Sequence, residues 1–146
     1  LSDSITFTVH GIAAPQGSKR HIGRGVMIES SKKVKPWRQD VKYAAIEKKP
    51  ADWDTAAPMI LSVVFRFQRP KSHFNKSGLR SSAPLHCTSA SAGDLDKLLR
   101  STNDALTGTL FDDDRQVISI DASKRYCGDN EPPGAIITLT ALSSTK

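Results

Sequence analysis

Two acidic groups stand out in this chain of 146 residues: Asp94 and Asp96, within Gly93-Asp94-Leu95-Asp96-Lys97-Leu98, and the run Asp112-Asp113-Asp114. Hard divalent cations such as Mg²⁺ take oxygen ligands and keep several waters. A phosphodiester nuclease therefore needs two or three convergent carboxylates that leave coordination positions open for substrate and water. On one continuous helix, side chains two residues apart point about 200° from each other. Asp94 and Asp96 can converge only if Asp94 sits at the helix N-cap or in the loop before it, which Gly93 favours. The third ligand must come from elsewhere, and the Asp112–Asp114 run supplies it, with Gly108 allowing the chain to fold back. Nearby, Arg100 and Lys97 are cations able to stabilise charge growing on a phosphate. The same residues also admit a purely structural reading. Asp94 suits an N-cap and Asp96 a first helical turn, Asp112–Asp114 an exposed turn, and Arg100 with Asp104 an ordinary i,i+4 ion pair.

Charge distribution bears on the choice. Lys and Arg number 21 against 15 acids, a formal net charge of +6. Residues 15–49 hold ten basic residues and three acids, residues 66–80 five and none, whereas residues 94–121 hold seven Asp and three basic residues. Basic segments attract phosphates. Carboxylates beside them would repel phosphate unless cations sit between. Lys19, Arg20, Lys32, Lys33, Lys71 and Lys76 are the candidate DNA-backbone contacts, which position a duplex without reading its sequence. Phe74, in a polar stretch, is either a wedge between bases or a loop residue packed on the core.

The elements that must position these groups follow from periodicity. Strands are expected at 5–10, 59–68, 117–124 and 135–142, with a brief one at 26–28. Helices are expected at 35–48, with Pro36 near its start, and at 94–106, with Gly108 just past its end. Ile118, Ile120 and Ala122 should share one face of their strand. The long polar stretch at about 69–92 exceeds the usual loop length and reads as functional or disordered. The order β-α-β-α-β-β predicts a single α+β domain over 1–146, two layers deep, with a mixed sheet and two main helices. The two cysteines, Cys87 and Cys127, form no CxxC and suit reduced thiols. No stretch approaches the roughly 18 apolar residues of a membrane span, and no secretory signal is expected at the start.

Taken together, Asp94-Leu-Asp96-Lys-Leu, Asp104-Ala-Leu-Thr-Gly108 and Asp113-Asp-Arg-Gln-Val117 resemble the RusA-type Holliday junction resolvases. The resemblance implies Asp94, Asp96 and Asp114 as metal ligands. The family's lysine six residues after the first Asp is here Arg100, which keeps the charge but is no proton donor. Its common Asn after the second Asp is here Lys97. The resemblance further implies a homodimeric endodeoxyribonuclease, dependent on Mg²⁺ (or Mn²⁺), that acts on four-way branched DNA and nicks opposing strands symmetrically. A two-fold dimer would match the approximate two-fold of a junction. Metal-activated water would attack phosphorus, with Arg100 or Lys97 stabilising the charge. A bacterial cytoplasm, with a phage or prophage origin, is the expected setting. The competing readings are a less selective flap or branched-DNA nuclease and a non-catalytic DNA-binding protein on the same fold.

Overall fold

The computed structural model of the chain describes residues 2–17, 19–21, 27–29 and 32–142, leaving aside the side chains of residues 2, 19–21 and 27–29. In chain order its strands are β1 (Ser2–His10), β2 (Lys19–His21), β3 (Met27–Glu29), β4 (Met59–Phe67), β5 (Phe74–Asn75), β6 (Gly78–Leu79), β7 (Val117–Tyr126) and β8 (Gly134–Leu142). Helix α1 spans Val34–Lys48 and α2 spans Leu95–Leu106.

The main sheet has the order β1-β8-β4-β7. β8 is antiparallel to both β1 and β4, whereas β7 runs parallel to β4. Alternation selects the buried face. Ile5, Phe7 and Val9 of β1, Met59, Leu61, Val63 and Phe65 of β4, and Ala135, Ile137 and Leu139 of β8 all point into one core. The helices cover that face. Val34, Trp37, Val41 and Ala45 line the buried stripe of α1, and Leu98, Thr102, Ala105 and Leu106 that of α2. The Trp37 indole donates to Thr102 Oγ1 at 3.2 Å, joining the two helices. Trp53 donates to the Leu110 carbonyl at 2.8 Å, so both tryptophans serve the core. The opposite face is polar along β1 and β8, where Thr6 and Thr138 hydroxyls lie 2.9 Å apart. This is the expected two-layer α+β arrangement. β2 and β3 form a separate hairpin inside a stretch expected to be mostly loop.

Parallel strands cannot be joined by a tight turn and need a crossover. Here α2 is that crossover between β4 and β7. It starts where β4 ends and runs back, antiparallel to both strands, so β7 can begin beside Met59 at the start of β4. This topology governs where the acidic residues lie.

The end of β4 carries a buried charge. Arg66 is 6% exposed. It donates to Glu131 Oε2 at 3.2 Å, and Arg125 grips the same carboxylate with two bonds of 2.6 and 3.0 Å. These bonds, led by that from Arg125 and joined by the Gly128 N–H, hold the Glu131 carboxyl down at about 2. A carboxyl depressed in the folded state adds stability above its unfolded value near 4.5 and loses it as pH falls through about 2. Thermal melts between those pH values should show a falling midpoint, and Glu131→Gln should remove part of that dependence.

Candidate active site

Asp94 is the N-cap of α2, with extended backbone, and its side chain makes no capping bond. Its carboxylate is instead 3.5 Å from Lys97 Nζ. Asp96 is exposed in the first turn. Gly93 makes the sharp entry to the helix possible. Its φ is +85°, and a Cβ there would come 2.5 Å from Pro15 Cγ. The segment after β1 is strapped along the same end of α2. Ser101 donates to the Ala14 carbonyl at 2.6 Å, and the Gln16 N–H to the Lys97 carbonyl at 2.9 Å. Gln16 in turn accepts from Arg38 at 3.2 Å. Lys124, on the last part of β7, donates to the Gly93 carbonyl at 2.7 Å.

The long basic stretch reaches this end too. Arg69 lies 4.4 Å over the Tyr126 ring, and His73 meets that ring edge-on at 5.4 Å. Arg69 also donates to the Pro84 carbonyl at 2.7 Å. A short 3-10 turn at Lys71–His73 and the β5–β6 hairpin follow. Residues 69–92 are therefore an ordered loop, fixed at the end of β7, that holds Lys71, Lys76 and a 39% exposed Phe74 in solvent.

Asp114 lies elsewhere. Gln116 holds the acidic run against the start of β4. Its side-chain oxygen accepts from the N–H groups of Asp112 and Asp113, at 3.0 and 2.8 Å. Its side-chain nitrogen donates to the carbonyls of Thr55 and Ala57, at 2.8 and 2.9 Å. Asp113 caps the 3-10 turn Asp114–Gln116 by accepting from the Arg115 N–H at 2.9 Å. Of the motif's paired acids, Asp113 is thus spent on local structure and Asp114 is left exposed. Gln116 is the positioning residue that sequence reasoning passed over, although its place in the Gln-Val motif was the signal.

The structure therefore pairs Asp94 with Lys97, sets Asp96 in the first turn just after them, and places Asp114 apart. From Val117 to Lys124 is about 23 Å at ~3.3 Å per strand residue, and α2 itself is about 18 Å long. Among the described residues, no group of three or more His, Cys, Asp or Glu side chains could hold a metal ion. The expected convergence of three carboxylates does not occur within one chain, because a parallel crossover puts the start of α2 and the start of β7 at opposite ends of the sheet. Arg100 is exposed one turn beyond Asp96. Asp104 faces Arg38 of α1 at 3.8 Å, so Arg38 rather than Arg100 is its partner. Lys32 and Lys33 are exposed just before α1, His86 is exposed in the long loop, and the side chains of Lys19 and Arg20 lie outside the described residues. Cys87 and Cys127 are free thiols.

The start of α2 thus carries Asp94, Asp96 and Lys97 beside Lys124 of β7, and Asp112–Asp114 lie at the far end of the crossover. The family model for endodeoxyribonuclease RusA matches residues 11–140, across all three acidic motifs, and the chain belongs to that family. It is also similar to the uncharacterized protein YqaN of Bacillus subtilis (strain 168), with 28% identity over 145 residues, covering 97% of this chain and 99% of that protein. No helix among the described residues is long and apolar enough to cross a membrane.

Proposed function

We propose that this protein is a structure-selective endodeoxyribonuclease that resolves four-way (Holliday) DNA junctions by paired symmetric nicks. In this reading it acts as a homodimer, with Mg²⁺ or Mn²⁺, in a bacterial cytoplasm and from a phage or prophage gene. The observation that carries it is the family match over residues 11–140, a range that includes every acidic motif. The local geometry supports it. Asp94 and Asp114 have their backbone fixed while their carboxylates make no capping bond of their own.

In this reading Asp94, Asp96 and Asp114 are the metal ligands. Since one chain does not assemble them, no reaction step is written through the ion. The chain's cations have definable work. Lys97 orients Asp94, and Arg100 stands where it can meet a phosphate approaching the helix start. Lys71 and Lys76 on the long loop, with Lys32, Lys33, Lys19 and Arg20, bind the DNA backbone by charge.

A substrate panel tests selectivity. Four-way junctions should be cut in preference to flaps and plain duplex of the same sequence. Equal cutting of flaps would favour a general branched-DNA nuclease. Tight binding with no cleavage in any divalent ion would make the protein a binder.

The basic loop gives a second expected outcome. Each lysine–phosphate pairing removed lowers the slope of log affinity against log salt by about 0.9. The Lys71→Ala/Lys76→Ala double variant should bind junctions more weakly and show a slope smaller by about 2. Fluorescence anisotropy across a salt series measures both.

A further inference from the structure

We propose that the groove between the β5–β6 hairpin and the end of β7 receives an unpaired nucleobase of the branched DNA, stacked on Phe74 and Leu79. The inference rests on the nuclease reading above and adds which part of the substrate the long loop holds.

The hairpin builds the groove. Phe74 and Leu79 are directly opposed in its register, so both side chains stand on one face. Lys76 and Ser77 form the tip, where the Ser77 N–H donates to Asn75 Oδ1 at 2.9 Å. That side-chain turn, with Gly78 at φ +115°, fixes the reversal. The hairpin is also tied at its base. The Arg80 N–H donates to the His73 carbonyl at 2.8 Å, and Arg80 Nε to the Ser72 carbonyl at 3.1 Å. Arg69, stacked on Tyr126, holds the far part of the loop through the Pro84 carbonyl.

The apolar face fixed in this way is open. Phe74 is 39% exposed, Leu79 53% and Leu85 79%. All three line one groove, whose other wall is residues 125–130 at the end of β7.

The chemistry of the walls selects the occupant. A nucleobase is flat, uncharged and apolar on its faces, and phosphates flank it. Residues 66–80 hold five basic residues and no acid. Of these, Lys71 is exposed just before the hairpin and Lys76 at its tip. A ring beside cations is the pairing that holds a stacked base and its backbone together. On the opposite wall, Asp129 and Asn130 offer the acceptor and donor groups that a base edge needs. The Asp129 carboxylate repels phosphate, which keeps the backbone on the lysine side.

Position ties the groove to the candidate site. Tyr126 follows Lys124 on the same face of β7, about 7 Å along. Lys124 donates to the carbonyl of Gly93, the residue before Asp94. A strand whose base sits in the groove therefore has its backbone close to the start of α2. A base leaves its stack at least cost where pairing is already broken, so the groove favours a branch point over plain duplex.

The test is made in chelator, where binding is read without cutting. Iododeoxyuridine at the branch point of a four-way junction should photo-crosslink to Phe74, located by mass spectrometry, and the same base inside a duplex arm should not. Phe74→Ala should weaken binding of the junction and of a short oligothymidine by about 5–150-fold, the range for one stacked base, and leave plain duplex affinity unchanged. Phe74→Trp should restore binding. The slope of log affinity against log salt should keep its wild-type value in both variants, because no phosphate contact is lost.

A hairpin that merely collapsed would lose its lysine contacts as well. A lowered slope, or an equal loss on plain duplex, therefore assigns Phe74 to folding and overturns the proposal. So does a crosslink elsewhere, an unchanged affinity, or a change from dimer to monomer in sedimentation of Phe74→Ala, which would make the patch an interface between copies. A wild type that crosslinks at Phe74 yet cuts nothing in Mg²⁺ or Mn²⁺ would instead overturn the nuclease reading and leave the base groove standing.

Discussion

Asp96→Asn should reduce divalent-ion-dependent nicking of a four-way junction by at least about 10²–10³-fold, the size of effect seen when even one neutral donor of a preorganised electrostatic site is removed. The substitution keeps the shape of the side chain and removes its charge. Asp96 is exposed in the first turn of α2. Folding should therefore lose only the small benefit of an acid at a helix start, about 0.3–1 kcal/mol. Junction affinity without divalent ions should hold or rise, because a carboxylate near phosphates is repulsive when no cation lies between them. Single-turnover nicking, with anisotropy in chelator alongside, separates these effects. A variant that binds and does not cut is the expected result. A variant that cuts at the wild-type rate would remove Asp96 from the site.

The largest effect on stability should come from a different residue. Gly134→Ala is expected to cost about 3–5 kcal/mol, combining overpacking against backbone with a positive φ at a side-chain-bearing residue. Gly134 opens β8 with φ +149°, opposite His10 in the register with β1. A Cβ there would fall on the Val9 carbonyl oxygen, with His10 Cα also close. These are backbone atoms in a paired strand, so no rotamer change relieves the clash. Denaturant unfolding should show a large drop in midpoint. Because β8 joins β1 to β4, the whole sheet should be affected rather than one edge. Gly108→Ala makes a fair control. Its φ is +84°, but its Cβ would meet nothing within 4 Å, so only the conformational part of the cost applies.

The fold was legible where one physical signal dominated. Met59, Leu61, Val63 and Phe65 alternate without interruption, and β4 lies within a residue of its expected span. Val34, Trp37, Val41 and Ala45 gave the buried stripe of α1 in advance. The need for Asp94 to sit at a cap, so as not to point away from Asp96, followed from helix geometry alone, and Asp94 is the cap. Strand direction was not legible. The order β-α-β-α-β-β fixes neither which neighbours pair nor that β7 lies parallel to β4. That single parallel pair separates Asp114 from Asp94. Ile118 and Ile120 show the same limit. Period-two spacing put them on one face, but the sequence held no sign that this face would be left open. The long segment at 69–92 read as either functional or disordered for a related reason. Its order comes from Arg69 and His73 packing on Tyr126, more than fifty residues away in sequence.

The most direct measurement is nicking of a mobile four-way junction, labelled on each strand in turn, with and without Mg²⁺. The account predicts cuts at symmetric positions on two opposing strands, present with the ion and abolished by chelator. Ion-independent cutting, or an intact junction at every concentration of Mg²⁺ and Mn²⁺, would contradict it.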